Sequence, residues 1–451
     1  MMKKNFLYLI MVVFLSLPLA GAASAFSFDF HGSLINSITT VNNTNTQKVN
    51  HQSKDTDVFS SKTSGTFNDW KTVFDKTDST QFGRTKIRLR FEGTTDDGRA
   101  KFVYGFEGGD YTWGDKNFDL SGDSKTVETR FAYGQFSALN GKFTAGLQKT
   151  NLNRWVWTET ASGLKYQTDI KDWKITAAWF RGYDAFGSTF RKTYSTNNND
   201  DYFFLKADGR INDNLKLGFF GVYNNLQQEK MYASNYNANY YWLGINGKFN
   251  FGRIFGDFDA IYNGGTIEFD KGLGHDIDRS GYLGNLTVGY KVNEKFKTSL
   301  NTMYVSGDDN PNDNNADNFD SVDVDIKCGI VLFDMGTLSA YFASDSPYIN
   351  DKGLINIALQ GDYQINPKNK VVVAVRRLYT AEDLDYIPGE KKDNDIGNEF
   401  DLWYFYKFNK NLTLIADLGY LATGDGADQL TTNSHAAGGI YVGSVGMYFK
   451  F

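Results

Sequence analysis

The chain is predicted to be all-β, a transmembrane antiparallel up-and-down barrel, and three observations predict it. Segments alternating apolar with polar residues recur along its length, and a period of two is a strand period with one row of side chains on each face. The composition joins 27 Tyr, 37 Phe and 45 Gly to only 5 Pro, at a mean hydropathy of −0.44. That hydropathy excludes apolar helices after the first residues, yet the aromatic content exceeds what a soluble surface needs. A barrel in lipid satisfies both, because only alternate strand residues meet hydrocarbon. Finally, short turns alternate with long polar loops, the asymmetry of barrels that cross an outer membrane.

In chain order, residues 1–25 read as a secretory signal peptide. "MMKK" is basic, Phe6 to Leu15 is apolar, and Ala23-Ser24-Ala25 is a small-x-small cleavage site. The apolar run is short and breaks at Pro18, which argues against a spanning helix. Cleavage is expected to leave 26–451 as a single barrel domain. The formal net charge of −6 becomes −8 once Lys3 and Lys4 are gone, and a mildly acidic chain carries no nucleic-acid footprint. Cys328 is the single cysteine, and His31, His51, His275 and His435 are scattered. No disulfide framework, metal site or cofactor is expected.

A short motif marks the hairpins: an apolar residue, Asn, one or two turn residues, then Phe or Leu followed by Lys or Thr. It occurs as "LNGKFT" at 139, "INDNLK" at 211, "VNEKFK" at 292 and "FNKNLT" at 408, with looser forms at 249 and 365. Asn, Asp and Gly supply the backbone that tight turns require. Further turns are read at "TDDG" near 95, "IKDW" near 170 and "FDMG" near 333. Direct counting gives about 20 strands, or 16–18 if short ones merge. The loop from Val41 to Thr80, with Trp70 and Phe74, is the longest; it is expected either on the surface or anchored in the lumen. Trp155 and Trp157 are expected at the membrane interface. The "SGDDNPNDNNAD" loop is rich in oxygen but lacks a recognised calcium spacing.

Candidate site residues follow from the faces. In "RTKIRLRFEG", Arg84, Lys86, Arg88 and Arg90 alternate with Thr85, Ile87, Leu89 and Phe91. The cationic row must face water, since the reverse orientation costs ~2–4 kcal/mol per Arg or Lys near the bilayer midplane. Lys101 and Arg130 join this lining, with Lys165, Lys206 and Arg376 as further candidates. Asp257 and Asp259 ("GDFDAIY") and Asp323 and Asp325 ("SVDVDIKC") read as acidic strands roughly across the lumen. Either these charges pair with neighbours and keep the lumen wet, or two opposed walls select solutes by charge. No catalytic residues are expected: Ser434-His435 lacks an orienting acid, and no other triad or dyad is visible. A plugged receptor would need a domain ahead of the first strand, which begins at Phe26.

The chain ends "VGSVGMYFKF", with Val445, Met447, Phe449 and Phe451 on one face. With the leader, the hairpin rhythm, and "VETRFAYGQF" followed by "NGKFTAGLQ", this end resembles Gram-negative outer-membrane porins, notably those of sulfate- and metal-reducing bacteria. The strand exits "YVSGDD" and "YLATGDG" are similar to those of alginate-export-type channels. The resemblance implies that Phe449 and Phe451 form an assembly signal read by the barrel assembly machinery. It also implies homotrimers, and a place in the outer membrane among lipid and lipopolysaccharide. The expected function is passive diffusion of small hydrophilic solutes and ions through a water-filled pore. The alternative is a substrate-selective channel for carboxylates or sugars, or for polysaccharide export.

Overall fold

The computed structural model describes residues 26–43, 45–51, 67–73, 79–113, 127–184, 199–227, 236–269, 275–310, 313–324, 326, 329–332, 347–387, 389, 391–431 and 436–451. The expected signal peptide and the turn at "FDMG" lie outside these residues. Strands form because β-branched and aromatic residues alternate with polar ones. In Asn369–Leu384, Val373 and Val375 are exposed while Ala374 and Arg376, which alternate with them, are buried. Phe203, Leu205, Leu243, Leu359 and Leu418 are exposed in the same register on other strands. Exposed apolar side chains on one face and buried polar ones on the other invert the soluble pattern, as a lipid-facing wall requires.

Each strand of the wall pairs antiparallel with the next wall strand in the chain, and the sheet closes where Phe26–Val41 pairs with both Thr80–Thr95 and Ile440–Lys450. Among the described residues the closed barrel has 18 strands. The two-residue stretch Asn315–Ala316 adds in parallel beside Ile277–Lys291. The direct count of twenty is reduced because the described residues of "SVDVDIKC" belong to no strand of the wall. It belongs to the connection between Phe296–Val305 and Leu354–Asn366, which are themselves direct neighbours. The Val41–Thr80 loop carries a separate hairpin, Asn45–His51 with Phe67–Val73. Phe74 lies outside the described residues, as does the side chain of Trp70.

The asparagine of the hairpin motif has a physical role. Asn293 Oδ1 accepts the N–H groups of Lys295 (2.8 Å) and Phe296 (2.9 Å), and Asn409 Oδ1 those of Asn411 and Leu412 (both 2.8 Å). Asn366 does the same for Lys368 and Asn369. Each side chain satisfies amides that the ladder has released at the turn. Leu139 and Asn140 both take positive φ (52° and 58°), the backbone of a two-residue type I′ turn.

At the other terminus, Gly32 and Phe451 exchange backbone hydrogen bonds (2.8 and 3.0 Å). The Phe451 ring lies 5.5 Å from Phe30 and 5.6 Å from Phe449. The last residue therefore helps to seal the ring on its lipid side.

Candidate pore constriction

Two connections fold inward and meet inside the barrel. The first runs from Thr150 to Glu159, between Gly141–Lys149 and Thr160–Ile170. Asn153 shapes it: its Oδ1 accepts the Trp155 amide at 2.8 Å, and its carbonyl accepts the Trp157 amide at 3.0 Å. This turn aims three donors at one carboxylate on the strand Ile254–Phe269. Asp259 accepts Asn153 Nδ2 at 2.8 Å, Trp155 Nε1 at 3.0 Å and Arg154 Nη2 at 2.7 Å. Arg154 also contacts Asp257 and lies over the Trp155 ring, 4.9 Å from its centroid.

The second inward connection, described at 306–310, 313–324, 326 and 329–332, runs beside the first. Val322 donates its amide to Val156 O at 2.8 Å, Thr158 to Asp323 O at 2.9 Å, and Ser321 Oγ to Trp155 O at 2.7 Å. It docks on one wall through Trp242 Nε1 to Asp320 O (2.8 Å) and a fully buried ion pair, Arg279 to Asp320 at 2.7 Å. Its far end docks on another wall, where Glu399 accepts the amides of Val331 (2.7 Å) and Leu332 (3.3 Å), and Asp401 that of Ile330 (3.2 Å). Arg376 pairs with Asp401 at 2.8 Å. Backbone amides buried inside a barrel need such acceptors, since no ladder is available to them.

Beneath these segments the inner wall carries two apolar clusters. Trp157 packs on Phe180 and Tyr202 at centroid distances of 5.4 and 4.8 Å, in a buried cluster with Phe204, Phe220 and Trp242. A second cluster holds Ile330, Val331, Leu378 and Trp403. The aromatics Trp155 and Trp157 are therefore interior anchors and not an interfacial girdle, being only 8% and 3% exposed.

The basic row faces the other side. Strand Thr80–Thr95 carries Arg84, Lys86, Arg88 and Arg90 opposite its outward Leu89 and Phe91. Lys86 (3.3 Å), Arg88 and Arg130 (2.9 Å) converge on Glu107. Arg90 (2.8 Å) and Lys101 (3.2 Å) share Glu92, and Arg130 reaches Glu159 at 3.1 Å. One carboxylate among three cations leaves the network net positive. The Arg88 and Arg90 side chains keep 44% and 43% of their surface open.

Six predicted cations are thus brought to one wall, where five of them pair with carboxylates, as the repulsion within a row of like charges leads one to expect. Lys165 and Arg376 face inward but are buried, Lys165 donating to Lys149 O at 2.6 Å. Lys206 lies near Asn151 O and pairs with Asp208 at 3.2 Å. Asp257 and Asp259 do face inward, but Arg154 covers them, so they do not form a bare acidic wall. Asp323 is exposed on the inward segment instead of on a strand, and Asp325 lies outside the described residues. Among the described residues no cluster of His, Cys, Asp and Glu could hold a metal ion. Arg154 was missed because its role depends on a contact 105 residues away; "NRW", a turn-forming Asn before a cation and an aromatic donor, is its only local signal.

Comparison with solved structures locates this architecture. A doubly substituted OccD1 (OprD) matches with a TM-score of 0.53 at 14% identity, over 95% of this chain and 97% of the other. OpdL of Pseudomonas aeruginosa matches with 0.52 at 11% identity, over 94% and 99%. OccK5 (OpdH) of the same organism matches with 0.50 at 12%, over 94% and 98%. The chain has the fold of the OccK and OccD outer-membrane porins. No family model and no curated protein matches the sequence. The likeness extends over nearly the whole length of each chain, and at these identities it is a likeness of fold.

Proposed function

We propose that the chain forms a narrow, water-filled outer-membrane channel for passive diffusion of small hydrophilic solutes, favouring small anions such as carboxylates. The observation that carries this reading is the unequal treatment of the two sides of the lumen. Inward segments and apolar clusters fill one side, and the open side is lined by Lys86, Arg88, Arg90, Lys101 and Arg130 around three carboxylates. A low-dielectric wall opposite a cationic one concentrates the field on whatever crosses. The exposed apolar belt and the fold shared with outer-membrane porins support a Gram-negative outer-membrane location, with the short turns on the periplasmic side. Export of a bulky polysaccharide is disfavoured, because described parts of the 306–332 connection contact two different walls from inside, at Asp320 and at Val331.

The test is a planar-bilayer recording in a salt gradient. A reversal potential on the anion side, reduced when Lys86, Arg88 and Arg90 become Gln, supports the reading. Cation selectivity, or no current at all from folded protein, would refute it.

A further inference from the structure

A weakly compensated cluster of positive charge lies away from the basic row, at the turn-end mouth. Arg210, Lys216 and Lys248 stand on three adjacent strands and are direct cross-strand partners, Arg210 to Lys216 and Lys216 to Lys248. All three alternate with outward residues such as Leu205, Phe219 and Leu243, so they face inward, and all are exposed. Like charges placed directly opposite one another destabilise a sheet. Among the described residues, Lys174, Lys216 and Lys248 have no carboxylate within ion-pair distance, and Arg210 reaches only the exposed Asp213 at 3.9 Å.

The nearby acids do not neutralise this row. The residues line a cavity of about 590 Å³ whose lining includes five basic and three acidic side chains, the acids being Asp169, Asp172 and Asp208. Asp208 is paired with Lys206 at 3.2 Å. The Lys248 partner across the strand is Asp257, which Arg154 already contacts. By contrast, the basic row on Thr80–Thr95 is served by Glu92 and Glu107. Three cations on neighbouring strands span about 10 Å, two strand spacings.

We propose that this mouth is a binding site for a small multivalent anion, held by Arg210, Lys216 and Lys248. An anion bearing several charged oxygens meets all three cations at once and relieves their mutual repulsion, which a monovalent ion does less well. The proposal rests on the channel reading only for its consequence, that such an anion on the turn side slows current.

The test is calorimetric titration of inorganic tripolyphosphate into the full-length, detergent-folded barrel, which needs no conduction. Binding is expected in the parent protein and should weaken roughly ten-fold or more in K216Q/K248Q, about one decade being the effect of 1.4 kcal/mol. The variant K295Q/K410Q removes the same charge from other turns and should bind as the parent does. Heat-modifiable gel migration confirms that each variant is folded. No binding by the parent, equal binding by K216Q/K248Q, or equal loss in K295Q/K410Q would overturn the site. Binding of a polyglutamate peptide without tripolyphosphate binding would also overturn it, in favour of a protein partner. A barrel that binds but passes no ions would sink the channel reading and leave this site standing.

Discussion

Arg154 and Asp259 meet inside the barrel at 2.7 Å, though 105 residues separate them in the chain. The contact turns a short connection into a crossbar. Asp259 is buried and satisfies donors from Asn153, Arg154 and Trp155 together, so its removal leaves several polar groups unmatched at once.

Asp259→Asn should therefore free the 150–159 segment. Single-channel conductance is expected to rise, with more open-state noise, while the barrel itself stays folded. Unchanged conductance would mean that this segment does not bound the path.

Arg88→Gln with Arg90→Gln should lower the anion-to-cation permeability ratio a few-fold, on the order of 1 kcal/mol for two half-exposed charges in a wet lumen. The effect should shrink as salt rises, since the Debye length falls to about 3 Å at 1 M. A reversal-potential series at increasing ionic strength measures both.

Glu399→Ala removes the acceptor for the Val331 and Leu332 amides. The far end of segment 306–332 is then expected to detach, opening the loop to limited proteolysis from the outside of intact cells. Resistance equal to the parent protein would show that the apolar cluster around Ile330 and Trp403 holds the segment unaided.

Burial pushes the Asp308 carboxyl above its ordinary 3.8, with neighbouring Asp351 adding to the shift and the Asn310 amide opposing it. The folded loop thus binds a proton more tightly than the unfolded one does. Local stability is highest at acid pH and falls as pH rises from about 3.8 through the raised folded value. Amide hydrogen exchange in 306–320 should quicken over that window, after correction for intrinsic rates, and should lose the dependence in Asp308→Asn.

Deleting Phe451 removes a backbone pair to Gly32 and a ring packed on Phe30 and Phe449. The yield of heat-modifiable barrel in the outer membrane is expected to fall. Phe451→Tyr, which keeps the ring, should restore most of it.

The sequence by itself determined the wall. Alternation over ten or more residues is a local property, and Asn-led turns are satisfied by amides two or three residues away. The lipid face of "RTKIRLRFEG" and the turns at Asn293, Asn366 and Asn409 were therefore legible. What fills the wall was decided only by tertiary structure. "SVDVDIKC" has a strand period, but its backbone pairs with the 150s segment because Arg279, Trp242, Glu399 and Asp401 capture the connection from both sides. Trp157 looks interfacial by position, yet its partners Phe180 and Tyr202 come from other strands. Charge compensation belongs to the same class: whether Asp259 faces solute or Arg154 depends on closure of the ring, which brings distant residues together.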